Sequence, residues 1–217
     1  MEITWRRQSF FEIKTKSFNK ESAVLIIDPF EGVGRIKEHV KNGAQIILLN
    51  CSSGEDKEPL KRNGFFVISD PGEYEIKGVM IKGIFSWHSS ETKGKEKKVN
   101  IIYKIEAEGI KICHLGNLGQ KNLEENQLEE IGEIDILAVP VDGRDIGPKI
   151  AAEIVSQVEP RLVVPMFYKM PGFETDAESM KKFLKIMGAE EAERQKKLKI
   201  SPRNLPAEET KIVVLEP

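Results

Sequence analysis

Short apolar runs separated by turn residues fill the first two thirds of the chain. Each run is about as long as one strand, and Gly, Pro, Asn and Asp stand between them, which is typical of a strand-rich domain. The pattern predicts strands over residues 10–15, 23–27, 45–49, 65–69, 79–85, 100–105 and 110–114. The tetrapeptide from Glu106 to Gly109 predicts a hairpin tip between the last two of these strands.

Helical periodicity enters in the last third. Apolar residues spaced by three and four positions predict one helix over residues 148–158 and another over residues 180–187. The second helix opens with a capping box at residues 175–178, in which Thr175 and Glu178 satisfy backbone N–H groups of the first turn. Gly188 predicts its end, because glycine readily adopts the left-handed conformation of a helix cap.

Continuous apolar runs around these helices predict buried strands over residues 134–140 and 161–165, and a last strand over residues 211–215. A weaker pattern over residues 123–131 predicts an amphipathic surface helix. Many strands first and β-α-β units later indicate an α/β (α+β) fold. No segment has the composition of a linker, so we expect one domain over residues 1–217.

Charge and composition exclude several classes of protein. The chain has 217 residues, with 33 Lys and Arg against 35 Asp and Glu, so its net charge of -2 gives no general attraction to nucleic acid or anionic lipid. The longest apolar runs are too short to cross a bilayer, and no secretory signal is visible. Two cysteines, Cys51 and Cys113, do not form a disulfide framework, and we expect a cytoplasmic protein.

Histidine is scarce. The chain has 3 His residues, fewer than a two-metal hydrolase site built mainly from imidazoles would need. Either such a site is not present, or it has been lost.

Six segments, in order along nearly the whole chain, resemble motifs of the beta-lactamase-fold Zn-dependent hydrolases of the metallo-β-lactamase superfamily. They are residues 5–11, the Asp-Pro-Phe strand end at 26–30, 71–76, the Cys-His-Leu-Gly-Asn-Leu-Gly segment at 113–119, 139–141 and 164–169. The resemblance implies a four-layer αββα sandwich whose active site lies at one edge, between the two sheets.

The main metal-binding loop of that family is altered in this chain. In the family it reads Thr-His-x-His-x-Asp-His, and here the strand over residues 45–49 is followed by Asn-Cys-Ser-Ser-Gly-Glu-Asp. Cys51, Ser53 and Asp56 align with the three histidines, and Glu55 aligns with the aspartate. The resemblance therefore implies that this loop has lost its imidazole ligands.

Three further ligand positions follow later in the chain. His88 matches the histidine that the family has after the strand at 79–85. Asn117 aligns with the bridging aspartate, and an amide has no charge to neutralise two cations. Phe167 aligns with the last histidine, and a phenyl ring cannot coordinate a metal. Of the ligand positions that the resemblance implies, His88 is the one that is clearly kept.

The neighbours of these positions predict supporting roles. Asp28 resembles the family's aspartate that orders the metal loop by hydrogen bonds. His114 is expected to be structural, and His39 matches no motif and is expected at the surface. Glu55 and Asp56 are expected in a solvated loop, and the alternative is a weak site for a hard cation, which accepts oxygen ligands.

The sequence therefore favours a metallo-β-lactamase-fold protein with a degenerate metal site, acting as a non-catalytic binding or scaffold protein. No catalytic residue and no metal are expected on this interpretation, and the partner could be an intact paralogue or a second copy of the chain. The alternative is a metal-dependent hydrolase of the same fold, with an altered or mononuclear site for zinc or another divalent metal. The residues of that site would come from His88, His114, Cys51, Asp56 and Glu55. Its substrate would be a phosphodiester, a lactone or a similar ester.

Overall fold

The computed structural model describes seven stretches of the chain, which are residues 1–16, 22–29, 43–50, 64–88, 98–141, 146–167 and 177–217. They contain two β-sheets that share one hydrophobic core. The predicted capping box at Thr175 and the predicted surface residue His39 lie outside these described stretches.

The first sheet has six strands in the order β13-β1-β2-β3-β4-β5. Its members are β1 (Glu2–Arg7), β2 (Phe10–Lys16), β3 (Ser22–Ile27), β4 (Ile46–Leu48), β5 (Phe66–Ile68) and β13 (Leu198–Lys199). β1, β2 and β3 pair antiparallel, and β3, β4 and β5 pair parallel. Ile26 and Ile47 are fully buried on the outer face of this sheet, so that face is covered too, as a four-layer sandwich requires.

The second sheet has eight strands in the order β12-β14-β11-β10-β9-β8-β7-β6. Its members are β6 (Gly72–Ile76), β7 (Val79–Trp87), β8 (Val99–Ala107), β9 (Ile110–His114), β10 (Ile136–Pro140), β11 (Leu162–Met166), β12 (Glu193–Gln195) and β14 (Lys211–Leu215). The half from β6 to β9 is antiparallel, and the half from β9 to β12 is parallel. The predicted hairpin tip is confirmed, because Glu108 and Gly109 both have positive φ between β8 and β9.

The described helices are α1 (Glu125–Ile131), α2 (Pro148–Val158) and α3 (Ala177–Ile186), with a short 3-10 helix at Pro202–Asn204. α2 and α3 pack against each other, and α2 also packs on β10. The predicted end of α3 is confirmed: Gly188 has φ +63°, and the Ala189 N–H donates to the Leu184 C=O at 2.8 Å. None of the helices in the described stretches is long and apolar enough to cross a membrane.

Tyr103 joins the two sheets. It lies on β8, is fully buried, and its hydroxyl contacts two carbonyl oxygens of the other sheet, those of Leu49 at 2.8 Å and Ile68 at 3.0 Å. These carbonyls lie at the ends of β4 and β5, so the contact fixes how the strand ends of the two sheets face each other.

Candidate functional site

Strands of both sheets end at one edge of the sandwich. Asp28 follows β3 and Asn50 lies beyond β4 in the first sheet, while His114 and Phe167 lie at the ends of β9 and β11 in the second. The Ile101 N–H of β8 donates to the Asn50 C=O at 2.8 Å, which holds the two sheets together at this edge. Ligand sites of α/β proteins form where the carboxyl ends of strands meet, so this edge is the candidate site.

Asp28 lies at the centre of the edge. Its backbone has φ +52°, a conformation that aspartate tolerates better than most residues. The Ser9 hydroxyl donates to its Oδ2, the Asn117 Nδ2 donates to the same oxygen at 3.1 Å, and the backbone N–H of Asn50 also donates to the carboxylate. Asp28 thus contacts Asn50, the last described residue before the loop at 51–56.

Burial and polar contacts act in opposite directions on the Asp28 carboxyl. Loss of solvent raises its pKa above the usual value, and this is the largest influence. Hydrogen bonds from Ser9, Asn117 and Asn50 oppose the rise, as does the nearby His88. Asp28 is half-buried as a residue, yet loss of solvent is still the largest influence on the pKa of its carboxyl group.

His114 is locked between the two sheets and is 1% exposed. Its Nε2 lies 3.0 Å from the Ser9 C=O, which only accepts hydrogen bonds, so Nε2 carries the proton. Its Nδ1 accepts the Gly116 N–H at 3.1 Å. Desolvation lowers the pKa of His114 to about 3, so the ring is neutral. With both nitrogens occupied, His114 holds the edge together and has no lone pair to offer a metal.

Asn117 is held by its backbone as well as by its side chain. Its N–H donates to the Asn100 Oδ1 at 2.8 Å, and the Asn100 Nδ2 donates to the Leu115 C=O and to the Ser86 hydroxyl. The amide side chain donates to Asp28, as described above. A carboxylate at position 117 would stand directly against the Asp28 carboxylate, so the asparagine suits this arrangement.

Gly116 lets the chain pass close to two buried amides. It has φ +62°, and a Cβ at this position would collide with the Asn50 Nδ2 and lie 2.6 Å from the Asn100 Oδ1. The Asn50 Nδ2 donates to the Ile101 C=O at 2.7 Å, whereas the Asn50 Oδ1 is buried and no donor among the described residues reaches it.

His88 and Phe167 border the edge on either side. His88 directly follows β7, is half-buried, and its N–H donates to the Lys98 C=O at 2.9 Å. The charge of His88 lowers the pKa of the Asp28 carboxyl group. Phe167 follows β11 with φ +57°, and its half-buried ring packs on the main core.

The described residues do not by themselves complete a metal site. Among them, no three His, Cys, Asp or Glu side chains lie close enough together to hold an ion. Four predicted loop positions, Cys51, Ser53, Glu55 and Asp56, lie outside the described stretches.

Sequence reasoning missed several polar residues that build this edge. It assigned no role to Ser9, Asn50 or Asn100, and it treated the segment of α1 as an ordinary surface helix although Gln127 is buried. The available signal was a single amide or hydroxyl interrupting or ending an apolar run. Such residues are buried only where they find hydrogen-bond partners.

Comparison with known proteins identifies the family. Residues 2–167 match the family model described as the Beta-lactamase superfamily domain, and the chain belongs to this family. A protein from Thermotoga maritima, classed provisionally as a Zn-dependent hydrolase of the metallo-beta-lactamase superfamily, has a similar crystal structure. Its TM-score is 0.72 at 29% identity, over 99% of this chain and 98% of that one. The predicted αββα sandwich is confirmed.

Two archaeal relatives carry the name metal-dependent hydrolase. The protein from Thermococcus onnurineus is 39% identical over 116 residues, which is 52% of this chain and 51% of that protein. The chain thus matches about half the length of this relative. The protein from Methanopyrus kandleri is 24% identical over 220 residues, covering 87% of this chain and 93% of that protein.

These names correct one expectation. The prediction that no metal cofactor is used is wrong, because the relatives are named metal-dependent hydrolases. The prediction counted imidazoles at aligned positions. Zinc also binds thiolate and carboxylate, and harder ions bind oxygen ligands of several kinds, so few histidines do not exclude a metal.

Proposed function

We propose that this protein is a metal-dependent hydrolase of the beta-lactamase fold with an altered or mononuclear metal site. The observation that carries the proposal is the position of His88, which follows β7 at the edge where strands of both sheets end and acts electrostatically on the carboxyl group of Asp28. The names of the relatives support the same class of reaction. A divalent ion supplies Lewis acidity to the hydrolysis of esters and phosphodiesters, which are the expected substrates.

The residues at this edge have different proposed roles. His88 is the proposed imidazole ligand, and Cys51, Glu55 and Asp56 are the candidates for the remaining ligands. Asp28 orders the start of their loop by accepting the Asn50 N–H. His114 is excluded as a ligand by its two hydrogen bonds and serves to hold the sheets in place.

Metal analysis tests this proposal directly. Protein purified without chelators should contain about one divalent ion per chain, because an intact site binds its metal through purification. His88→Ala should lose this ion and with it the hydrolysis of model phosphodiesters and lactones. His39→Ala is the matched control and should keep both. Equal metal content in the two variants, or no stoichiometric metal in the wild type, contradicts the proposal.

Asn117 and Phe167 favour a second candidate, a binding or scaffold protein without hydrolytic activity. Both stand where the resemblance implies metal ligands, and both are used in other contacts, Asn117 with Asp28 and Phe167 with the core. The partner would be an intact paralogue or a second copy of this chain. A stoichiometric metal without turnover of any ester, together with a stable complex in solution, would favour this candidate.

We also propose that residues 1–217 act as one domain in the cytoplasm. The main core runs from Ile3 to Leu215 and draws on both sheets, which supports a single folding unit. The buried thiol of Cys113, which is not in a disulfide, suits a reducing compartment. Limited proteolysis that yields two stable halves would contradict the single unit.

A further inference from the structure

β7 is longer than β6, the edge strand that pairs with it. β6 pairs with β7 only as far as Gly83, whereas β7 continues to Trp87 and then presents His88. The His88 N–H points toward β8, where it meets the Lys98 C=O. Because backbone groups alternate along a strand, those of Phe85 and Trp87 point to the opposite side, where β6 has ended.

Beyond the end of β6, three residues of one segment form hydrogen bonds with the backbone of β7. The Gln127 Nε2 donates to the Phe85 C=O at 2.8 Å, the Trp87 N–H donates to the Gln120 Oε1 at 3.2 Å, and the Gly119 N–H donates to the Trp87 C=O at 2.9 Å. We call Gly119, Gln120 and Gln127 the glutamine clamp. It holds β7 up to the residue before His88.

The two glutamines are buried and hydrogen-bonded to each other. Gln120 is 8% exposed and Gln127 is 4% exposed, and the Gln120 Nε2 donates to the Gln127 Oε1 at 2.6 Å. Gln120 also donates to the Asn122 C=O, and the Gln127 Oε1 accepts the Glu124 N–H at the start of α1. Each amide therefore uses both its donor and its acceptor side, and a shortened side chain would leave buried groups unpaired.

The clamp also connects the two sides of the candidate site. Its first member lies two residues after Asn117, whose side chain donates to Asp28. The same short segment thus holds the end of β7 at one side and the Asp28 carboxylate at the other.

We propose that Gln120 and Gln127 are positioning residues that fix His88 relative to Asp28 and Asn117. This inference rests on the proposed function for the importance of His88, but the geometry it describes is measurable without any turnover. The glutamines act through the backbone of β7 and do not touch a substrate.

Histidine NMR tests the clamp, because 3 His residues give a spectrum that is readily assigned. In Gln120→Asn the amide is withdrawn by one methylene, and the His88 ring signal should broaden or double. The His114 signal should stay unchanged, since Ser9 and Gly116 hold that ring independently. Zinc affinity should fall at least about tenfold, as for other residues that orient a metal ligand.

Two further variants complete the test. Gln127→Glu keeps the acceptor for Glu124 and Gln120 but loses the donor to Phe85, so it should fold and should also disturb the His88 signal. Gln157→Asn is the matched control, because the Gln157 Oε1 accepts the N–H of Leu123 and, within the described stretches, does not bond to β7. This variant should leave His88 unchanged.

The outcomes separate this proposal from the proposed function. An unchanged His88 signal in both Gln120→Asn and Gln127→Glu overturns the clamp, whatever the metal data show. A disturbed His88 signal in a protein whose wild type binds no metal supports the clamp and refutes the metal-dependent function.

Discussion

Ser9 joins two buried titratable groups through different atoms. Its hydroxyl donates to Asp28, while its carbonyl accepts from His114. The carbonyl contact fixes the protonated nitrogen of the imidazole, and the burial that accompanies it keeps the ring neutral. The ionisation of His114 is therefore coupled to folding, which leads to a prediction about pH.

We expect His114 to make the protein less stable in acid. The pKa of His114 is about 3 when folded and near 6.5 when unfolded, so the unfolded chain takes up a proton that the folded one refuses. Stability that is present above pH 6.5 is lost as the pH falls. Between pH 7 and pH 5 the loss should be about 2 kcal/mol from this residue.

Urea unfolding at the two pH values measures this loss, with His114→Gln as the control that cannot titrate. The wild type should lose about 2 kcal/mol more than the variant, while acidic residues contribute equally to both. In the folded wild type, the His114 ring signal should not shift between pH 7 and pH 5. A shift that reports protonation in this range would contradict the prediction.

At the scale of elements, the turn after β9 depends on one glycine. Gly116→Ala should cost about 3 kcal/mol or more, because its Cβ would meet the Asn50 and Asn100 side chains in addition to the strain of a positive φ. Gly188→Ala has nearly the same φ with no atom within 4 Å, and should cost about 1 kcal/mol. Chemical denaturation of both variants measures the difference, and equal losses would contradict the role of the close contact.

The central elements could be predicted from the sequence because the spacing of apolar residues in each one matches the face that it buries. β8, β9 and α2 lie close to their predicted bounds, since alternation and helical spacing record burial directly. The short edge strands β12 and β13 were not predicted. They have two or three residues and depend on partners that are distant in sequence, so no local pattern marks them.

At the scale of the whole molecule, Tyr103 connects the sheets through a hydroxyl in a dry interior. Tyr103→Phe should lower the free energy of unfolding by about 1 to 2 kcal/mol, because the Leu49 carbonyl loses the hydroxyl and the Ile68 carbonyl keeps only the Leu49 N–H. Tyr74→Phe removes an exposed hydroxyl bonded to the Asp70 C=O and should change stability by less than about 0.5 kcal/mol. Urea titrations of the two variants measure this, and similar losses would count against the role of Tyr103.

The position of the candidate site could be predicted from the sequence, but the hydrogen bonds within it could not. The motifs indicated the edge where Asp28, His114 and Asn117 meet, because they mark strand ends. They did not indicate that Asn117 donates to Asp28 or that glutamines hold β7, since these bonds join segments far apart in the sequence. The prediction that no metal is used was wrong because it rested on residue types at aligned positions, whereas the relatives are named metal-dependent hydrolases.

Phe167 shows that the side chains at this edge can vary independently of the sheets that carry them. Its backbone, just after β11, has a left-handed conformation that is unfavourable for a bulky side chain. Residues at strand ends lie beyond the backbone ladder, so one side chain can be exchanged for another with little effect on strand pairing. This edge can therefore acquire, modify or abandon a reaction while the sandwich beneath it persists, which suits a scaffold on which new activities evolve.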